Sequence, residues 1–79
     1  MFLEITGFLA GKNEDDSIKF ELDVSPEFEQ AVMDILGWDS LAAEANGELP
    51  LTDGQVQQLE IAIRQSLPKE LELFIGVRA

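Results

Sequence analysis

The chain has 79 residues, sixteen of them Asp or Glu and five Lys or Arg, for a formal net charge of −11, and 46% of it is hydrophobic. That composition is too apolar for a disordered acidic tail, and the length suits one small domain, 1–79. With no Cys, His or Tyr there is no disulfide, no thiolate metal site and no Ser-His or Cys-His nucleophile pair, and the excess of acids disfavours direct contact with nucleic-acid phosphates.

Residues 2–9, FLEITGFL, and 17–24, SIKFELDV, read as strands. In the second, Ile18, Phe20, Leu22 and Val24 share one face, and Lys19, Glu21 and Asp23 share the other. The intervening AGKNEDD has the Gly, Asn and Asp of a hairpin loop, so the two strands should pair antiparallel. Ser25-Pro26-Glu27 then opens a helix: Ser25 suits the cap, Pro26 the first turn, and Glu27 and Glu29 the positive end of the dipole. Its apolar stripe is Phe28, Val32 and Leu36 with Ala31 and Ile35 beside them, and Gly37 ends it, giving a helix over 26–36.

Residues 38–51 look irregular. Leu41 to Ala45 has room for one helical turn before Asn46-Gly47 breaks it, and Glu48 to Leu51 reads as a short extended piece at a sheet edge. Thr52-Asp53-Gly54-Gln55 matches a capping box, and Val56, Leu59, Ile63 and Leu67 continue it as an amphipathic helix stopped by Pro68. In KELELFIGVRA, Leu71, Leu73, Ile75 and Val77 alternate with Glu70, Glu72, Phe74 and Gly76, which predicts a last strand.

The order β-β-α-(short β or turn)-α-β specifies an α+β fold. An antiparallel sheet of three strands, four if 48–51 joins it, would carry two helices on one face. If Leu3, Ile5 and Leu9 face the helices, then Phe2, Glu4, Thr6 and Phe8 point away, together with Lys19, Glu21, Asp23, Glu70, Glu72 and Phe74. Three phenylalanines among acids are more than a solvated face requires, whereas aromatic anchors ringed by steering charge suit the docking of a basic protein. The candidate partner-binding residues are therefore Glu4, Phe8, Glu21, Asp23, Glu72 and Phe74. A second copy of the chain, or the long loop, is the alternative cover for those aromatics.

No catalytic residue, cofactor or metal site is expected. Asn13-Glu14-Asp15-Asp16 lacks the one-apart ligand spacing, central Gly and distal Glu of an EF-hand loop and reads as a solvated hairpin tip. No pair among the sixteen acids is singled out for glycoside hydrolysis. The chain shows neither a basic leader region nor an apolar run near 18 residues, so a cytoplasmic protein without membrane contact is expected.

Two resemblances bear on function. Leu36-Gly37-Trp38-Asp39-Ser40-Leu41 is similar to the setting in which acyl and peptidyl carrier proteins present their phosphopantetheine serine, which would make Ser40 the arm-bearing residue. Two strands and one helix precede it, however, where a carrier needs another helix and a long loop, and Asn46-Gly47 cuts short the helix that should follow. The element order more closely resembles the cloacin and ribosome-inactivating-colicin immunity proteins, which are also short and acidic. The matching pieces are Met33-Asp34-Ile35-Leu36-Gly37, Asn46-Gly47, the helix start from Leu51 to Leu59, and Glu70-Leu71-Glu72-Leu73-Phe74. That resemblance implies an inhibitor that binds the basic nuclease domain of a bacteriocin and blocks it stoichiometrically. A structural homodimer is the remaining alternative.

Overall fold

A computed structural model describes residues 1–9, 17–40 and 47–78. Strands β1 (Phe2–Leu9) and β2 (Phe20–Asp23) are followed by helix α1 (Pro26–Leu36), strand β3 (Glu48–Pro50), helix α2 (Asp53–Ile63) and strand β4 (Leu71–Arg78). The strands form one antiparallel sheet in the order β2-β1-β4-β3, which places the first and last long strands side by side at its centre. The fold is thus α+β, and the 48–51 segment does supply a fourth strand.

The period-two pattern of the strands becomes two chemically different faces. Leu3 and Ile5 of β1 stand opposite Val77 and Ile75 of β4, and all four are buried with Val32, Val56, Leu59 and Ile63 of the helices. Burying an aliphatic side chain stabilises by about 1.5–3 kcal/mol, so this shared core is the main adhesive between the sheet and its helical layer. Phe20 and Leu22 of β2 and Leu49 of β3 pack on its margins. Ile18, expected on the core face, lies before β2 begins and is 48% exposed. The β2 ladder is instead extended by two backbone bonds, from Lys19 N–H to the Gly7 carbonyl and from Val24 N–H to the Leu3 carbonyl.

Helix α1 has the predicted bounds, but its ends are made differently. Ser25 occupies the cap with extended backbone, yet its side chain accepts no capping bond; its carbonyl takes the Phe28 N–H at 2.9 Å. Pro26 and the two early glutamates supply the rest of the start signal. Gly37 takes the left-handed conformation, φ 73°, and the bonds Trp38 N–H to Met33 O and Gly37 N–H to Asp34 O complete a Schellman motif. The buried stripe is rotated from the expected one, with Met33 buried and Ala31 exposed. Trp38 is half-buried against the core just beyond the helix end.

Helix α2 begins on the predicted capping box, in which the Thr52 hydroxyl accepts from Gln55 N–H and the Gln55 carboxamide accepts from Thr52 N–H. It ends at Ile63, before the proline expected to stop it, because Arg64 turns left-handed at φ 56°. Leu67 is buried all the same, on the connection rather than on the helix. Glu60 holds that connection: its carboxylate accepts the Leu67 N–H at 2.6 Å and pairs with Lys69.

The Leu67 amide bond, and then Lys69, hold the Glu60 carboxyl below its usual range. Because the folded state favours the ionised form, the resulting stabilisation is fully present above the ordinary Glu range near 4.5. It is lost as pH falls through the lowered folded value. Glu60→Gln keeps an acceptor for Leu67 but not the charge, so its stability deficit against wild type should shrink as pH falls through that window. Thermal melts of both proteins across that pH range check this, and a deficit independent of pH would contradict it.

Candidate functional site

Strand register, rather than any single contact, builds the face opposite the helices. Across β1 and β2, Glu4 stands beside Asp23 and Thr6 beside Glu21; across β1 and β4, Thr6 stands beside Phe74 and Phe8 beside Glu72. All six predicted site residues therefore share one face. Glu21, Asp23 and Glu72 are exposed, while Glu4, Phe8 and Phe74 are half-buried. The Phe8 and Phe74 rings meet edge to face with centroids 5.6 Å apart, forming an aromatic ridge between the acids of β2 and Glu72 of β4.

Two features of this face were not anticipated. The first is Arg78, which lies across β4 and ties the face together. Its Nε donates to Glu4 Oε1 at 2.9 Å and its Nη2 bonds Glu48, joining the first, third and fourth strands in sequence through one guanidinium. The bond to Glu48, and secondarily Glu4, raises the arginine's pKa against the opposing pull of desolvation. Gly76 makes room for it: a Cβ there would lie 2.7 Å from Arg78 Nη1 and 3.1 Å from Glu48 Cγ. Glu4 is thus already compensated within the molecule, whereas the strand acids Glu21, Asp23 and Glu72 take part in no ion pair among the described residues. The sequence signal for this was an arginine two residues past a glycine on an otherwise acidic strand.

The second feature is Thr6. It sits at the centre of the face, flanked by Glu21 and Phe74 on adjacent strands and by Glu4 and Phe8 along its own, and it is 1% exposed. Its hydroxyl has no hydrogen-bond partner among the described residues. Such a group costs about 1–3 kcal/mol relative to one that is satisfied. A β-branched polar residue flanked by apolar alternation gave no hint that it would be buried on the face away from the core.

Ser40, the alternative modification residue, is exposed three residues after the Schellman glycine. The turn expected at Leu41 to Ala45 and the acidic tip Asn13 to Asp16 lie outside the described residues. Among the described residues no group of acidic side chains is disposed to hold a metal ion, and no helix is long and apolar enough to cross a membrane. No family model, curated protein or solved structure matches the chain.

Proposed function

We propose that this chain is a stoichiometric protein inhibitor of the immunity type, docking its open sheet face on the basic nuclease domain of a bacteriocin-like toxin in the cytoplasm of the producing cell. One observation carries the reading: the face opposite α1 and α2 gathers an aromatic ridge, Phe8 and Phe74, with Glu21 and Asp23 on one side and Glu72 on the other, none of these acids in an ion pair among the described residues. Aromatic side chains supply contact area at small entropic cost, and the acids steer a basic partner from a distance. The same acids argue against a second copy on this face, since its two-fold pairing would set like charges together. The chain's own resources are contact and charge, so it works by occlusion and not by turnover.

The test is direct. Titrated into a panel of purified basic nuclease domains of the bacteriocin type, this chain should abolish the cleavage activity of its cognate domain, with the end point at one equivalent. Unchanged cleavage across the panel in tenfold excess would overturn the proposal.

A further inference from the structure

Beside the sheet face, at its β3 edge, lies a groove of about 680 Å³. Leu51, Val56, Leu71 and Leu73 form its walls, and Phe74 at its margin also belongs to the aromatic ridge. Asp53, Glu70 and Glu72 give the groove an acidic rim; its lysine, Lys69, is already paired with Glu60.

The groove exists because β3 is too short for its neighbour. The β3–β4 register ends at Pro50 opposite Phe74, and the last backbone bond along that edge runs from Leu51 N–H to the Leu73 carbonyl. The chain then turns into α2, while β4 continues back to Leu71. On the far side β1 still accompanies it, with Leu9 opposite Leu71. Backbone groups alternate in direction along a strand. Since the Leu73 carbonyl points to the β3 edge, the amide and carbonyl of Leu71 point there too, and no strand among the described residues lies alongside them. An open strand edge of this kind is a template for an incoming extended segment.

The two sides of that edge differ in chemistry. On the helix side an added strand would meet Leu51, Val56, Leu71 and Leu73; on the other it would meet Glu72 and the acidic face. We infer that the groove captures an extended basic segment of the partner, alternating apolar and basic residues, which adds antiparallel to β4 beyond Leu51, opposite Leu71. Its apolar side chains fill the space against α2, and its Lys and Arg side chains turn toward Glu72. This rests on the docking reading and extends it from a flat contact to a strand-adding one.

The probe is acetyl-Lys-Val-Arg-Val-Lys-amide, titrated into the ¹⁵N-labelled protein and followed by amide chemical shifts. Saturable shifts are expected at Leu51, Val56 and 71–73. Replacing both valines of the peptide by serine preserves its charge and should weaken binding at least tenfold. In an antiparallel addition the valine opposite Leu71 turns its N–H to β4, so N-methylation of both valines, which covers either placement of the peptide, should weaken binding by a similar factor, whereas N-methylation of the arginine should change it little. Equal affinity of the serine or N-methyl-valine peptide would overturn strand addition, as would an absence of shifts at Leu51 and 71–73. Shifts confined to Thr6, Phe8 and Glu21 would overturn the groove while leaving the docking face standing; the nuclease titration tests that face independently.

Discussion

Glu21→Lys combined with Glu72→Lys should slow association with a basic nuclease domain by about one to two orders of magnitude at low salt, because steering by surface charge raises on-rates by about 10–10³. The pair changes the net charge by four units from −11, and does so on the two acidic flanks of the aromatic ridge. Both side chains are exposed and neither takes part in an ion pair among the described residues, so folding stability should move by no more than about 0.5 kcal/mol. The difference between variant and wild type should narrow as ionic strength rises, since the Debye length falls from about 10 Å at 0.1 M to about 3 Å at 1 M. Stopped-flow association rates at several salt concentrations check both points. An unchanged on-rate would place the docking surface elsewhere on the molecule. Reversing Glu4 would be a poorer experiment, since it would break the bond to Arg78 and confound binding with folding.

Thr6→Val should stabilise the protein. The substitution removes a hydroxyl that is buried and unpartnered among the described residues, and it puts a methyl group in nearly the same volume. Removing the desolvation cost of such a group is worth about 1–3 kcal/mol. For a domain of this size each 1 kcal/mol raises Tm by about 4–8 °C, so the shift is measurable in a single melt. A lower Tm would mean that the hydroxyl is satisfied after all. Because the hydroxyl is shielded from solvent and from a docking partner alike, the same variant should leave Kd unchanged while melting higher. Tm and Kd measured on one preparation separate these outcomes.

The sequence made the architecture legible wherever short-range rules decide it. Alternation in 71–77 set Leu73, Ile75 and Val77 inward, and Gly37 and the Thr52–Gln55 box marked helix ends that the backbone obeys. The face holding Glu4, Phe8, Glu21, Asp23, Glu72 and Phe74 followed from the same period of two, since one register assignment commits every side chain on a strand. Strand order was not legible in the same way. That β4 lies beside β1 depends on how the core closes over two helices, a non-local outcome that no single segment encodes.

Where structure and sequence expectation differ, the reason is also physical. The apolar spacing that continues through Leu67 points to a longer α2, but the left-handed Arg64 and the Glu60–Leu67 bond stop the helix first while keeping Leu67 in the core. The Ser25 cap failed because a suitable residue type still needs its oxygen turned to an amide, and here the Ser25 carbonyl carries the bond to Phe28. The Arg78 bridge to Glu4 and Glu48 spans strands far apart in sequence, so it became visible only once the sheet was assembled.

On the proposed function, the sheet face opposite α1 and α2 is where this protein meets its partner. Cross-saturation NMR on the deuterated, ¹⁵N-labelled chain bound to the protonated nuclease domain measures that contact without altering a residue. The expected result is strong signal loss at the amides of Thr6, Phe8, Glu21 and Phe74, with the outer flank of α2, where Ile61 stands 80% exposed, unaffected. Signal loss centred on Ile61 and its neighbours, with the sheet face untouched, would contradict the claim.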